Sequence, residues 1–405
     1  MRDASLRFSQ RVLGGVMSGL LQQVLGVDTP PGRRGCRTTT VFTAVGNVSY
    51  SRAHVRRQDG GSSFPADEAL GLVEKCTPMG ARLLCHEAAS SQSYQQAAGN
   101  IAMSLGIDVS ASTIQRLVEV VGPDVENWAL NREPAKAANL RDCIVVVQVD
   151  MTGVRMLKEY LAQSKGVDGD PTCRQIKCGK VFLMQKDSDG VYQKMSESAV
   201  HALSFSDPAT FSADLMKARL KLGVPWDTQM LMIGDGAEWI WNIAKDRFNT
   251  AVQILDFWHA ADNLNKLCVA VYGKEQEAKD AFREWKRKLK RYGANCVING
   301  FEKIVSSSRD KEQAVLRLEY FKTHKERMKY LYFRKQGWPI GSGAIEGACK
   351  SLIKQRTNLS GQRWSPDGAL NILWIRAMIT DELHDLYWKQ TRKRARTQRE
   401  LLQAG

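Results

Sequence analysis

Three short apolar segments, each ending at an aspartate, constrain the fold of this chain more than any other feature. They are "CIVVVQVD" (143–150), the start of "QMLMIGDGAEWIW" (229–241) and the start of "AVQILDFWHAADNL" (251–264). Continuous apolar runs rich in β-branched residues are typical of strands buried on both faces. A helix is predicted directly after the second and third runs. The pattern therefore predicts parallel strands covered by helices, with Asp150, Asp235 and Asp256 at strand ends.

Two further strands are predicted between the first and second of these segments. They are "CGKVFLMQK" (178–186) and "MSESAVHALSF" (195–205), joined through the turn signal "DSDG", and a helix follows from about 208 to 222. The order is then three strands, helix, strand, helix, strand, helix. This is the order of an α/β, ribonuclease-H-like catalytic core. In open sheets of this kind, side chains at the carboxyl ends of the strands gather in one crevice.

The acidic residues at this edge of the sheet predict a metal site. Asp150 and Asp235 would end neighbouring strands, and two carboxylates that close repel unless a cation lies between them. Glu346 lies one turn into a helix whose start, "GSG", is expected to let the backbone pass close to the sheet. We therefore expect Asp150, Asp235 and Glu346 to hold two Mg²⁺ (or Mn²⁺) ions for phosphoryl transfer. The basic residues further along the same helix are expected to meet phosphates: Lys350, Lys354 and Arg356.

Each of these acidic residues alone has a simpler interpretation. An aspartate at a strand end is more often a turn or helix cap, and a single glutamate on a helix is usually solvated. The strand order and the net charge of +15 together favour the metal site. A charge of this size indicates an anionic partner, most simply nucleic acid, although ribosome-associated and membrane-surface proteins share it. The nine cysteines include no Cys-x-x-Cys pair, so reduced thiols and no zinc are expected.

The N-terminal part has a different organisation. Residues 1–27 are predicted to form an amphipathic helix, and residues 28–62 are loop-rich around a hairpin at 38–55. Within residues 91–122, two helices flank a turn at Gly106, which is the spacing of a helix-turn-helix or of an ordinary helical hairpin. In the first interpretation, the residues facing a DNA groove are Thr113, Gln115 and Arg116.

Asp235 and Glu346 are separated by 110 residues, too many for one connecting helix. We therefore predict a helical insertion, in which six of the nine residues from Arg283 to Arg291 are basic. Either this is a solvated helix face, or it binds DNA through Trp285, Lys286, Lys288 and Lys290, with the tryptophan against an unpaired base. The predicted division of the chain is 1–80 (N-terminal helix and hairpin), 81–140 (helix-turn-helix), 141–265 (core), 266–340 (insertion), 341–380 (core, Glu-bearing helix) and 381–405 (basic tail).

Four motifs carry a resemblance to a known family. "VDMTGV", "IGDGAEWIW", "DFWHAADNL" and "GSGAIEGACKSLIKQRTNLSGQRW" resemble the motifs of DDE transposases of bacterial insertion sequences, of the ISKra type related to the Mutator-like lineage. The resemblance runs from about Thr38 to Ala377. It implies that Asp150, Asp235 and Glu346 form the catalytic triad. Asp256 and His259 match the family's Asp/Cys-x-x-His signature, where His259 either supports the site directly or is a helix-start histidine bonded to Asp256.

The resemblance also implies an activity and its partners. The enzyme would cut a strand at each end of an insertion sequence, and the freed 3′-hydroxyl would then attack target DNA. Its partner would be double-stranded DNA, with the protein acting as a homo-oligomer on it. No apolar run reaches transmembrane length, so a cytoplasmic protein is expected, nucleoid-associated when bound to bacterial DNA. Relatives often carry a cysteine pair before "FPADEALGL" that this chain lacks, which again predicts no structural zinc.

Two other functions remain open from the residues alone. A transposase-derived regulator would bind DNA through the helix-turn-helix without chemistry, although the three carboxylates argue against it. A ribonuclease-H-like nuclease or resolvase would cut DNA without joining it, and the sequence does not separate this activity from transposition.

Overall fold

The computed structural model describes residues 8, 11–12, 14–16, 19, 33–56, 60–134, 142–161, 170–196, 198–273 and 276–392. Contacts between residues divide the chain into two compact units. One comprises Met1–Ala129 with Gln355–Gly405, and the other comprises Leu130–Lys354. Among the described helices, none combines the length and the apolar character needed to cross a bilayer.

The described residues form strands and helices that are numbered in chain order. The strands are β1 Arg33–Thr43, β2 Gly46–Arg56, β3 Ser62–Ser63, β4 Cys143–Arg155, β5 Cys173–Lys186, β6 Tyr192–Lys194, β7 Val200–Ser204, β8 Met230–Gly234 and β9 Val252–Leu255. The helices are α1 Pro65–Ala69, α2 Pro78–Ser90, α3 Tyr94–Leu105, α4 Ala111–Asn131, α5 Pro208–Leu220, α6 Glu238–Arg247, α7 Phe257–Tyr272, α8 Gln276–Tyr292, α9 Ala294–Glu302, α10 Lys311–His324, α11 Tyr330–Lys335, α12 Gly343–Gly347, α13 Gln355–Thr357 and α14 Pro366–Thr380.

The unit Leu130–Lys354 is built on a mixed sheet. Strands β4, β8 and β9 are parallel, and β5 runs antiparallel to β4 and pairs on its other edge with β6 and β7. The lateral order β7, β5, β4, β8, β9 is compatible with the ribonuclease-H-like order that the sequence predicted. Residues 143–149 of β4 are all buried, as expected for a strand covered on both faces.

Three details of this sheet differ from the prediction. Strand β4 does not end at Asp150, because pairing with β5 continues to Arg155. Pairing with the parallel neighbour β8 does stop at Gln148, so Asp150 lies just beyond the end of that pairing. The "DSDG" turn leads from β5 into the short β6, and the third predicted strand is reduced to β7.

The described residues of the predicted insertion, 266–340, are mostly helical, as predicted. Helix α7 begins directly after β9 and packs against α8 and α10, and α9 packs against α10. The Glu346-bearing segment starts as α12 and widens into a π-helix over Ala348–Lys354. Such π segments are rare in proteins, and those that occur often lie at functional sites.

The other unit contains the predicted hairpin and the predicted pair of helices. Strands β1 and β2 are antiparallel and meet at Thr43 and Gly46. Helix α3 ends at Gly106, which adopts the left-handed conformation that glycine tolerates. The amide of Thr113 then donates to the Ser110 hydroxyl at the start of α4, 3.1 Å away. The inward residues of α4 are buried as predicted: Ile114, Leu117 and Val118.

Two predicted segments fall largely outside the described residues. Most of the predicted helix at 1–27 is not described, and the few described positions in it are helical. The basic tail is described only as far as residue 392.

Candidate active site

Asp150 and Asp235 lie at neighbouring parallel strands, and the charge of Asp235 acts on Asp150. Burial raises the pKa of Asp150 above its ordinary value, and the negative charge of Asp235 raises it further. Hydrogen bonds from the Met151 amide, 2.7 Å from Asp150 Oδ1, and from the Cys349 thiol act in the opposite direction. The net effect is that Asp150 resists ionisation in this environment, which is the condition that a bound cation relieves.

Asp235 is held at the start of the loop into α6. Its Oδ1 accepts from the Ala237 amide at 2.9 Å, and its backbone carbonyl accepts from the Tyr320 hydroxyl at 3.1 Å. Gly236, which lies between Asp235 and Ala237, has φ of +104°, and a Cβ there would lie 2.9 Å from the Tyr320 hydroxyl oxygen. Glycine is therefore required at this position, both for the backbone conformation and for the close approach of Tyr320.

Asp256 is wholly buried and caps α7. Its Oδ1 accepts from the amides of Trp258 and His259, at 2.7 and 2.9 Å. Its Oδ2 accepts from the amide of Ser342 and from the Ser342 hydroxyl, the latter at 2.8 Å. Burial alone would raise the pKa of this carboxyl, but hydrogen bonds from His259 and Ser342 outweigh it and hold the pKa below its usual value. Because both oxygens are engaged, Asp256 has little capacity left for a metal ion.

His259 makes the bond to Asp256 that is expected of a helix-start histidine. Its Nδ1 lies 3.2 Å from Asp256 Oδ1, as in a helix-start histidine bonded to the cap. The bond to Asp256, together with the charges of Asp256, Asp235 and Asp150, raises the pKa of His259 to about 9, against the opposing effect of burial. His259 is therefore a cation facing the same carboxylates that were predicted to form the site.

Glu346 is positioned by contacts to β4 and to the segment before its own helix. The side chain of Gln148, inside β4, accepts from the Ile345 amide at 3.0 Å and donates to the Gly341 carbonyl at 3.3 Å. The Ser342 hydroxyl lies 3.3 Å from Glu346 Oε1. A Cβ at Gly343 would meet nothing within 4 Å, and one at Gly341 would make ordinary contacts, so the expectation that these glycines allow the close approach was wrong. The hydrogen bonds of Gln148 hold this segment close to the sheet instead.

The closest grouping of possible metal ligands differs from the predicted one. Asp256, His259 and Glu346 each offer a ligand atom, and these atoms lie within 4.8 Å of one another. Within the described part of the chain, Asp150, Asp235 and Glu346 do not form so compact a group. Glu346 thus belongs to the compact group, whereas Asp150 and Asp235 are linked to that group through their charges, which act on His259.

Several contributors to the site were not predicted from the sequence: Gln148, Ser342, Tyr320, Cys178 and Cys349. Gln148 had a detectable signal, because it is the one polar residue inside the apolar run "CIVVVQV". Cys349 donates to Asp150 and also interacts with Cys178, which is paired opposite Asp150 on β5. Hydrogen bonding to Cys178 and burial raise the pKa of the Cys349 thiol, so it stays protonated.

The predicted phosphate-binding residues of the Glu346 segment have different environments. Lys350 and Lys354 are exposed, as a phosphate contact requires. Arg356 is only 1% exposed, and its guanidinium lies 4.9 Å from the ring of Tyr94 and 4.8 Å from that of Trp364. It is buried between aromatic rings and is not open to phosphate in this structure.

The basic helix α8 presents its predicted residues on two faces. Trp285 packs on α9, with its ring 5.0 Å from that of Phe301. Lys288 lies on the same side, with its ammonium 2.5 Å from Glu284 and 4.3 Å from the centre of the Trp285 ring. Lys286 and Lys290 instead face α7, 4.6 Å from the Trp258 ring and 5.4 Å from the Phe257 ring respectively. The structure therefore places Trp285 in the packing of the insertion.

In the other unit, the predicted groove-facing residues of α4 are only partly free. Gln115 and Arg116 are exposed, and the Gln115 amide donates to Glu119 at 2.9 Å. Thr113 is half-buried, and its hydroxyl lies 2.8 Å from that of Ser110 in the cap of the helix.

Comparison with solved structures finds a structural likeness, whereas the sequence comparisons find none. No protein-family model matches the chain, and no curated protein shows significant sequence similarity to it. The chain is similar to a protein in the Drosophila P element transposase strand transfer complex, with 11% sequence identity, a TM-score of 0.25, and coverage of 76% of this chain and 79% of that chain. A TM-score this low does not establish a shared fold.

Proposed function

We propose that this protein is a DDE transposase with a ribonuclease-H-like core, of the ISKra type that the sequence motifs resemble, and that Asp150, Asp235 and Glu346 are its catalytic carboxylates. One observation carries the proposal. The charge of Asp235 raises the pKa of Asp150 from an adjacent parallel strand, while Gln148, two residues before Asp150, holds the helix that bears Glu346. This arrangement supports a site in which the three carboxylates share one crevice of the sheet.

The chemistry of these residues fits hard divalent cations. Mg²⁺ and Mn²⁺ prefer oxygen ligands and keep positions open for water and phosphate, and carboxylates on adjacent strands are ligands of the kind that they bind. Asp150, Asp235 and Glu346 would hold two such ions, which supply activation of the attacking hydroxyl and stabilisation of the leaving oxygen. Asp256 is the poorest candidate ligand, because its hydrogen bonds already occupy both oxygens.

The remaining residues of the site position these carboxylates. Asp256 and Ser342 join the start of α7 to the start of the Glu346 segment. Gln148 fixes the same segment to β4, and Tyr320 fixes the backbone of Asp235. His259 places a positive charge beside the acidic groups and would favour the approach of a DNA phosphate.

The DNA contacts in this proposal follow exposure and charge. Lys350 and Lys354 are exposed, one and two turns beyond Glu346, and would meet the backbone of the strand that is cut. Gln115 and Arg116 of α4 would contribute to recognition of the element's ends, with the protein acting as a homo-oligomer on double-stranded DNA. The net charge of +15 is consistent with this partner.

A strand-transfer assay tests the proposal. Labelled duplexes carrying candidate element ends are incubated with the protein, target plasmid and Mg²⁺ or Mn²⁺, and products are resolved on denaturing gels. A transposase yields nicked ends and joined products. Nicking without joining would replace the proposal with a nuclease, and binding without either product would replace it with a DNA-binding regulator.

A further inference from the structure

A cavity of about 490 Å³ lies between α7 and α8, next to the acidic site. Aromatic rings contributed by Phe257, Trp258 and Phe282 line it, together with five cationic side chains and no acidic one. Its volume lies in the range of pockets that hold small ligands. Rings beside cations suit a ligand that has both a flat aromatic part and a phosphate.

Trp258 is unusually open for so large an apolar side chain, with 60% of it exposed. Its backbone is rigid, because its amide donates to the buried carboxylate of Asp256. The Lys286 ammonium lies 4.6 Å from the ring centre in a cation–π contact. A phosphate bound nearby could draw this ammonium from the ring and leave the ring face open. The ring therefore projects from a held backbone, and its surface is accessible to a second flat group.

Trp258 also connects this cavity to the acidic site. A Cβ at Gly341 would lie 3.6 Å from both the indole nitrogen of Trp258 and Oδ2 of Asp256. Trp258 stands in sequence between Asp256 and His259, two members of the compact acidic group. A nucleotide bound on Trp258 would therefore lie near the acidic group that contains Glu346.

We propose that this cavity binds one unpaired nucleotide of a DNA strand, with its base stacked on Trp258 and its phosphate beside Lys286 and Lys290. The inference rests on the proposed function for the source of the strand. It transfers the aromatic contact with DNA from Trp285, which is engaged with Phe301, to Trp258. It also separates the lysines of α8, because Lys286 and Lys290 line the cavity and Lys288 pairs with Glu284 on another face.

Binding to DNA with and without an unpaired end tests this site. A duplex with a 3′ overhang containing 2-aminopurine is titrated with protein in EDTA, so that no metal chemistry contributes, and a blunt duplex serves as reference. We expect the overhang to bind more tightly than the blunt end and its fluorescence to be quenched by stacking. Trp258→Ala should weaken overhang binding by about tenfold and abolish quenching, whereas Trp258→Tyr should retain most of both.

Two comparisons distinguish the cavity from a diffuse basic surface. Trp226 is similarly exposed, at 52%, and lies outside this cavity, so Trp226→Ala is the matched tryptophan control. Lys286→Gln should reduce the slope of log K against log salt concentration for overhang binding by about 0.7. Lys288→Gln should reduce this slope by less. Equal effects of the two lysine substitutions, or quenching that survives Trp258→Ala, would overturn the proposal.

The outcomes also separate this site from the proposed function. Overhang binding that depends on Trp258, in a protein that neither cuts nor joins DNA, would support the cavity and refute the transposase. Cutting and joining that proceed with unchanged overhang affinity in Trp258→Ala would do the reverse. Tighter binding of a matched RNA overhang than of the DNA overhang would overturn the assignment to DNA.

Discussion

Asp256 and Ser342 are 86 residues apart in sequence and are joined by two hydrogen bonds, from the backbone amide and the hydroxyl of Ser342 to one buried carboxylate oxygen. The other oxygen of the same carboxylate caps α7. One side chain thus ties the end of the sheet to the start of the segment that carries Glu346. The position of Glu346 depends on this link as much as on its own helix.

Removal of the Asp256 charge should therefore be costly. In Asp256→Asn, an amide group would face donors from Ser342 or His259, and the interaction with protonated His259 would be lost. We expect a loss of about 3 kcal/mol in the free energy of unfolding, measured by urea denaturation. Asp262→Asn is the matched control, since Asp262 is exposed and pairs with Lys266 on the same helix. It should cost less than about 1 kcal/mol, and equal losses would contradict a special role for Asp256.

Gln148 should affect activity more than DNA affinity. Gln148→Leu leaves the Gly341 carbonyl and the Ile345 amide without their side-chain partner in a buried position. We expect about 2 kcal/mol of destabilisation and a marked fall in the rate of strand cleavage, because Glu346 is displaced while the DNA-binding surface is intact. Gln193→Leu, at an exposed position on β6, should change stability by no more than about 0.5 kcal/mol. A Gln148→Leu protein with normal cleavage would show that Gln148 does not position Glu346.

His324 should make stability depend on pH in the acidic range. Burial and, to a smaller extent, the Arg327 cation together lower the pKa of His324 to about 4, against a smaller opposite effect of Asp235. Because the unfolded histidine has a pKa of about 6.5, the unfolded state binds the proton first as the pH falls. Stability is thus fully present above the unfolded pKa and declines between about pH 6.5 and 4, by on the order of 2 kcal/mol at pH 5.

The variant His324→Phe isolates this contribution. Phenylalanine keeps a ring against Tyr320, whose ring centre is 4.8 Å from that of His324, but cannot bind a proton. We expect the wild type to lose more stability than the variant between pH 7 and pH 5. Parallel stability curves for the two proteins would show that His324 titrates normally.

Trp285 should behave as a packing residue. A Cβ on Gly300 would lie 2.1 Å from the Trp285 ring, so Gly300→Ala forces one of the two to move. We expect losses of roughly 1–3 kcal/mol for Gly300→Ala and about 3 kcal/mol for Trp285→Ala, measured by thermal and urea unfolding. The double variant should lose less than the sum, because the new methyl group then enters the vacated space. Trp285→Ala with unchanged stability but impaired DNA binding would restore the functional interpretation.

The strands were predictable because their signal is local. Continuous apolar runs ending at Asp150, Asp235 and Asp256 place three parallel strands without reference to the rest of the chain. The extension of β4 to Arg155 was not predictable in this way, since it depends on pairing with residues of β5 that lie some twenty positions further along the chain. Local composition in "MTGVR" carries no information about that partner.

The site was predictable only in its acidic members. Gln148, Ser342 and Trp258 gain their roles from contacts across roughly 80 to 200 residues, which no spacing rule reveals. For Arg356 the sequence predicted a phosphate contact that the structure does not support. A basic residue on a helix is ordinarily solvated, but Tyr94 and Trp364 enclose its guanidinium, and neither ring is adjacent to it in sequence.

The central claim is that Glu346 is part of the chemistry of the site, and strand cleavage by Glu346→Gln tests it most directly. Glu326→Gln makes the same chemical change at an exposed residue that pairs with Lys329, and serves as the control. With Mg²⁺ and labelled element ends, we predict that Glu346→Gln binds DNA normally and cleaves about a thousandfold or more slowly, a barrier increase of about 4 kcal/mol, while Glu326→Gln cleaves like the wild type. Wild-type cleavage rates in Glu346→Gln would contradict a chemical role for this carboxylate.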